Sequence, residues 1–323
     1  MFSSAHSTKA QHKDCARCFE IIKRGRLHVV SETARDQKTS PFSTLPQRII
    51  SSLIAFAGVV LLVWLGWPTL TLMLIAATVL GLHEFRNMAR RKGMPIGGRS
   101  IYGFGVLMIL ASEPWMKSGF WFVPANVPWR EIVMWLYFTW VMTVEVIRPS
   151  ERPLERIMTS LFGMLYIPFL LSFALLLRFE PNASLGFWYL IVTIVGAYAS
   201  DAGAYFVGGS IGKRKLAPEI SPGKTLEGAI GGLAFSFLVV FVFVQLLRSI
   251  APETGLIEIG IFSLLVSSAA QLGDLAESIV KRSFGVKDSG SFLPGHGGLL
   301  DRIDSTLFAL PVAYYFLSVA VFN

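Results

Sequence analysis

Polar residues fill roughly the first 47 positions, and then long apolar runs take over. The first, 49–64, is interrupted by a polar side chain only at Ser51 and Ser52. Others follow at 70–82, 101–111, 132–147, 157–177, 187–207, 229–247, 257–272 and 307–321. A bilayer core takes about 20 residues as helix, with a range near 17–25. Trp, Pro and Gly flanking the shorter runs extend them into the interface, and Trp67, Trp115, Trp121, Trp129 and Trp188 stand at span ends as an aromatic belt would place them. The pattern predicts an all-α, polytopic integral membrane protein with roughly nine transmembrane helices. It divides into a polar basic tail (1–47), a set of N-terminal membrane helices (48–196) and a C-terminal region (197–323) with longer polar segments.

Composition agrees. Of 323 residues, 53% are hydrophobic and only 15% charged, against about 25% charged in ordinary soluble domains. That excludes a soluble enzyme and a disordered chain. Two cysteines, Cys15 and Cys18, cannot build a disulfide framework, and they read as reduced thiols in the tail. The tail has no apolar stretch long enough for a secretory signal.

Net charge is +8, and its distribution sets a topology. With the N-terminus in the cytoplasm, 25 of the 29 Lys and Arg fall on that side: the segment through Arg48, then 83–100, 148–156, 208–228 and 273–304. Only Lys117, Arg130, Arg178 and Arg248 fall opposite. The positive-inside rule demands such an imbalance. It places the two longest polar segments, 208–228 and 273–304, on the cytoplasmic face. No nucleic-acid motif and no short repeat occurs, so membrane lipids and an anionic substrate are the expected partners.

Three polar stretches carry candidate chemistry. In the first, Lys213, Arg214, Lys215 and Lys224 lie within twelve residues, and Ser221-Pro-Gly-Lys224-Thr225-Leu-Glu227-Gly leads into an apolar helix. Free backbone N–H groups there, beside Lys and Thr, make either an anion site or a basic loop on lipid headgroups. The Walker A spacing is absent. In the second, Asp274, Glu277, Ser278 and Lys281 share one helical face as the chain leaves an apolar run. A carboxylate at mid-bilayer costs about 2.5–3.5 kcal/mol, so metal or Lys must offset it; an Asp–Lys bridge serving only helix packing would do so too. The third stretch holds Lys287, His296, Gly297, Gly298, Asp301, Arg302 and Asp304. One aspartate at a helix start is an ordinary cap. Two, together with Asp274, suit Mg²⁺ and phosphate better, with Lys281, Arg282, Lys287 and Arg302 nearby. Other residues read blandly: His83 and Glu84 as interface anchors, Glu145 as a partner of Arg148, and the Phe-rich run 235–243 as lipid-facing or packed.

The stretch from Ser278 through Lys281-Arg282, Lys287-Asp288, Pro294-Gly-His296-Gly-Gly and Asp301-Arg-Ile-Asp304 resembles the signature of the CDP-diglyceride synthetase (phosphatidate cytidylyltransferase) family. Gly212-Lys-Arg-Lys-Leu-Ala-Pro, Ser221-Pro-Gly-Lys-Thr-Leu-Glu-Gly and Gln271-Leu-Gly-Asp-Leu-Ala-Glu-Ser are similar to its upstream motifs. The likeness covers roughly residues 197–305; residues 49–196 match only as generic spans. Gly223 stands where a second Lys is common, and Gly290 where Ser is common.

The resemblance implies the reaction of CTP with phosphatidate to give CDP-diacylglycerol and pyrophosphate. It implies Mg²⁺ held by Asp274, Asp301 and Asp304, and room for a second, monovalent cation such as K⁺. Asp274, Lys281, Arg282, Asp301 and Arg302 would be catalytic. Lys213, Lys215, Ser221, Lys224, Thr225, Glu227, Ser278, Lys287, His296, Gly297 and Gly298 would bind nucleotide and phosphate. A homodimer in a bacterial inner membrane, with the site facing the cytoplasm, is the expected setting. A CTP-dependent polyprenol or fatty-alcohol kinase could share such a site. An ion-coupled transporter would instead use the intramembrane carboxylates as an ion site.

Overall fold

The computed structural model describes residues 56–113, 127–179, 183–247, 255–290 and 297–320. The tail with Cys15 and Cys18, as well as Trp115, Trp121 and His296, lies outside the described residues. Two compact units divide at Gly58. Of the first, only residues 56–58 are described, and they are helical. Apart from these three residues, everything below belongs to the second.

Each apolar run contains a helix. In order these are α1 (Phe56–Leu65), α2 (Thr69–Arg91), α3 (Ser100–Leu110), α4 (Trp129–Ile147), α5 (Pro153–Phe179), α6 (Ala183–Ile211), α7 (Leu226–Leu246), α8 (Leu256–Ser283) and α9 (Leu300–Ala320). Among the described residues, five are long and apolar enough to cross a membrane: α2, α5, α6 over Leu185–Ile211, α7 and α8. Nine full spans are therefore not confirmed. α1 and α3 are apolar but short, and α4 and α9 carry charged residues within their first turns.

Nearly everything described is helical. The departure from an all-α fold is one antiparallel hairpin, β1 (Lys215–Ala217) and β2 (Ser221–Thr225), with Lys215 opposite Thr225 and Ala217 opposite Ser221. It forms where the sequence suggested an anion site or a basic loop, because Pro218 and Pro222 bar helix there while the backbone still needs partners. Inside α5 the backbone widens to a π-helical turn over Leu165–Phe169, which contains Pro168, whose ring nitrogen has no hydrogen to donate.

Two helix pairs dominate the packing, α6 on α7 and α8 on α9. Small residues allow the close approach. A Cβ on Gly203 of α6 would stand 2.5 Å from that of Phe235. One on Gly273 of α8 would stand 2.5 Å from the Asp304 carbonyl oxygen of α9. Buried polar side chains then tie the helices together. The Gln271 amide donates to the Ala229 carbonyl (3.0 Å) and to the Ser200 hydroxyl (3.2 Å), and Ser200 shares a 2.6 Å hydrogen bond with Ser267. α8 is thereby held to both α6 and α7 just above Asp274.

Two expectations from the first half need correction. Glu145 is paired, but with Arg156 (3.1 Å) and with the Ser150 backbone N–H (2.9 Å) rather than with Arg148. α4 stops at Ile147 and the chain doubles back, so the start of α5 is nearer than the next turn would have been. Glu84 is not an interface anchor: it is 7% exposed and faces the start of α9. In the Phe-rich run, Phe235, Phe237, Leu238 and Val242 are exposed, as a lipid-facing surface would be.

Candidate active site

Six chain segments contribute to the site: α2 at Glu84, α6 at Asp201, α8 from Asp274 to Lys281, the hairpin, and the first turns of α7 and α9. The hairpin is anchored by α7. Thr225 is the N-cap of that helix, its hydroxyl accepting the Gly228 N–H at 3.1 Å. Glu227 accepts the backbone N–H groups of Lys213 (3.0 Å) and Arg214 (3.1 Å), so its carboxylate clamps the hairpin's entry. With the loop fixed, Lys224 reaches across to Asp274 of α8, Nζ to Oδ2, at 2.7 Å. Lys213 and Lys215 stay exposed beside it, and Ser221 is half-buried.

The centre of the site is Lys281. Its ammonium lies 2.5 Å from Glu277, one turn back on α8, and 2.7 Å from Asp301 in the first turn of α9. Glu277 is 1% exposed. A buried carboxylate of this kind needs a cation, and Lys281 supplies one to two acids at once. Asp301 is further held by Ser289, through its N–H (3.0 Å) and its hydroxyl (2.9 Å), and by the Gly298 N–H (2.8 Å). Gly297, at φ +81°, takes the left-handed conformation that turns the chain into this contact.

Asp304 is buried one turn further along α9, where it accepts the Ser305 N–H at 2.8 Å and faces Glu277. The Ser305 hydroxyl donates to Asp201 of α6 at 2.6 Å. Asp201, Asp274 and Asp304 feel one another's charge directly. The cluster thus counts five carboxylates (201, 274, 277, 301, 304) against two ammonium groups (224, 281).

Of the sequence-derived set, Asp274, Lys224, Lys281, Asp301, Asp304, Gly297 and Gly298 come together. Thr225 and Glu227 hold the backbone of α7 and of the hairpin's entry. Arg282 is exposed and donates to the Val286 carbonyl at 3.3 Å, and Lys287 is exposed on the following turn. Ser278 is half-buried next to Glu277, while Arg302 is exposed, its carbonyl accepting the Tyr198 hydroxyl at 3.2 Å.

Four residues outside that set belong to the site. Asp201 and Glu277 carry a legible signal, since an acid within an apolar span is a functional candidate by default. Glu84 and Ser289 carry none. Glu84 accepts the N–H groups of Leu299 (2.8 Å) and Leu300 (2.9 Å) and the Ser289 hydroxyl (3.1 Å). It sits at the positive end of the α9 dipole, where a carboxylate is favoured, and it shares Ser289 with Asp301.

In kind, the donors fit a hard divalent cation: carboxylate oxygens, an excess of negative charge, two acids face to face, and Glu277 Oε1 buried with no hydrogen-bond partner among the described residues. Yet no three His, Cys, Asp or Glu side chains among the described residues stand ready to hold a metal ion. Two of the three sequence-derived metal ligands are engaged by cations, Asp274 by Lys224 and Asp301 by Lys281. The oxygens of Asp301 are taken by Lys281, Ser289 and Gly298.

The cytidylyltransferase family matches residues 46–320. The phosphatidate cytidylyltransferase of Bacillus subtilis is 33% identical over 279 residues, covering 85% of this chain and 98% of the relative. That of Haemophilus influenzae is 33% identical over 291 residues, covering 84% and 98%, and that of a Synechocystis strain 33% over 298 residues, covering 84% and 96%. The match takes in the hairpin, the α8 and α9 carboxylates and the helix end that carries Glu84. The chain belongs to the cytidylyltransferase family.

Proposed function

We propose that this chain transfers the cytidylyl group of CTP to phosphatidate, giving CDP-diacylglycerol and pyrophosphate. The family match over 46–320, with relatives named for this reaction along nearly their whole length, carries the reading. An oxygen of the phosphatidate monoester attacks the α-phosphorus of CTP. One O–P bond forms as the bond from that phosphorus to the β-phosphate oxygen breaks, and pyrophosphate leaves with the electron pair. The attacking group needs no general base, because a phosphomonoester with a second pKa of about 6 is already anionic at neutral pH.

Two anions must approach, so the residues' work is charge neutralisation and alignment. Lys224, Lys281, Arg282 and Arg302 screen the triphosphate and the leaving pyrophosphate, and the exposed Lys213, Lys215 and Lys287 extend the positive rim. Lys281 would exchange one carboxylate partner for a phosphate oxygen, which frees Asp301. Asp274, Asp301 and Asp304 would hold Mg²⁺, which when bound neutralises charge on the transferring phosphate; a monovalent cation such as K⁺ fits the remaining negative charge. The enzyme acts as a homodimer in a bacterial inner membrane, its site on the cytoplasmic face and open sideways to lipid so that acyl chains stay in the bilayer.

The test is a product assay on purified protein in mixed micelles with phosphatidate, Mg²⁺ and, in turn, CTP, dCTP, ATP and UTP. CDP-diacylglycerol and pyrophosphate from CTP are the expected products. Release of CDP instead would assign a kinase, and no lipid-linked CMP from folded protein would reject the reading.

A further inference from the structure

Away from the carboxylate cluster, α2 and α3 enclose a cleft of about 540 Å³ lined by Val79, Leu80, His83, Arg86, Asn87, Arg90, Arg99 and Tyr102. Its chemistry is one-sided. Three arginines, a histidine, an asparagine and a tyrosine line it together with Val79 and Leu80, and no Asp or Glu does. None of the three arginines forms an ion pair among the described residues. Arg86 is the telling one. Its Nε is buried without a hydrogen-bond partner, and its guanidinium lies 5.8 Å from the centre of the Tyr102 ring. A buried N–H on a permanent cation is costly to leave unmatched.

The layout follows from α2. His83, Arg86, Asn87 and Arg90 recur at i, i+3, i+4 and i+7 and form one face. The adjoining face, with Glu84, Phe85 and Met88, is buried in the bundle. One turn before the polar stripe, Val79 and Leu80 give the cleft an apolar end. An apolar end towards mid-membrane and a cationic end at the close of a membrane-crossing helix match the two parts of a phospholipid.

We infer that this cleft binds the phosphate headgroup of an acidic membrane phospholipid, with an acyl chain along Val79 and Leu80, at a site separate from the catalytic cluster. Arg86 donates from the cleft floor, while Arg90 and Arg99 close on the phosphate from α2 and from the N-cap position of α3. Planar guanidiniums suit a phosphate through paired N–H donors, which surface lysines do not offer.

Native mass spectrometry of the full chain, released from micelles doped with phosphatidylglycerol or phosphatidylcholine of identical chains, tests this. The wild type is expected to retain phosphatidylglycerol in preference by about tenfold or more. Arg86→Gln/Arg90→Gln/Arg99→Gln should bring the preference to parity. Arg91→Gln/Lys92→Gln, which removes charge at the same depth outside the cleft, should keep it. Equal loss in both variants would mean general surface attraction and would overturn the site, as would no loss in the triple variant. Photo-crosslinking of wild-type protein with an acyl-labelled phosphatidylglycerol does not depend on how the variants fold. Adducts on the peptide spanning 79–102 support the site, and labelling confined elsewhere overturns it. Inorganic phosphate supplies the last arm. If millimolar phosphate binds through the same arginines while the lipid preference is missing, the ligand is a soluble phosphate and the lipid assignment falls.

Discussion

Glu84 and Leu300 lie 216 positions apart, yet the Leu300 backbone N–H donates to the Glu84 carboxylate at 2.9 Å. Through this bond and its neighbour from Leu299, α2 sets where α9 begins, and so where Asp301 stands. Glu84 is a positioning residue: its carboxylate is taken up by the Leu299 and Leu300 N–H groups, and it shares Ser289 with Asp301.

Glu84→Gln presents an N–H₂ group where only donors face it. A hydrogen bond to a charged group is worth about 1.5–3 kcal/mol, so kcat is expected to fall about 10- to 100-fold, with KM for CTP changing much less. Glu84→Asp should recover part of the loss. Steady-state kinetics of CDP-diacylglycerol formation read the split. A variant that only melts earlier, with kcat unchanged, would refute the positioning role.

Lys281→Met removes the shared cation and strands Glu277 and Asp301 in a buried setting. Losing one partner of such a pair costs about 3–5 kcal/mol. The variant should unfold at visibly lower temperature in detergent and show no turnover. Lys281→Met/Glu277→Gln removes a stranded charge as well, so it should recover stability without recovering activity. Thermal melts with parallel assays separate the two effects.

Asp301→Asn keeps size but makes a poor divalent-cation ligand. Turnover should drop at least about 100-fold while the helical content stays native. In Asp304→Asn, where some activity is expected to survive, the Mg²⁺ concentration for half-maximal rate should rise. Titration of Mg²⁺ into chelator-treated enzyme measures it. An unchanged Mg²⁺ requirement in both variants would remove these aspartates from the metal site.

Gly223 and Gly290, where the resemblance to the family signature is imperfect, should behave differently when substituted. A Cβ on Gly223 meets nothing within 4 Å, whereas one on Gly290 stands 2.7 Å from Glu84 Oε1. Gly223→Lys is therefore expected to leave folding unchanged and, if anything, to lower KM for CTP. Gly290→Ser forces Glu84 to move and should reduce kcat several-fold. The kinetic comparison of the two single variants decides it.

Much of the site was readable without coordinates because its parts are local. Asp274, Glu277 and Lys281 share a face by helical spacing alone, and Asp301 and Asp304 follow from the same rule. The hairpin was not readable. Lys213–Gly228 reads as either an anion site or a basic loop, and only the fold shows a hairpin whose entry is held by Glu227 accepting the backbone N–H groups of Lys213 and Arg214.

The chain's apolar periodicity and its sparse charge settle, unaided, that it is helical and made for a membrane, because no aqueous fold tolerates so many long apolar runs. Its polar motifs carry the resemblance to the cytidylyltransferase family, and helical spacing places Asp274, Glu277 and Lys281 on one face. What spacing cannot supply is pairing between distant segments. That Lys281 spans to Asp301, that Asp201 joins through Ser305, and that Glu84 rather than a neighbouring acid caps α9 are decided by helix packing, where each buried charge must find whichever partner the bundle brings within reach.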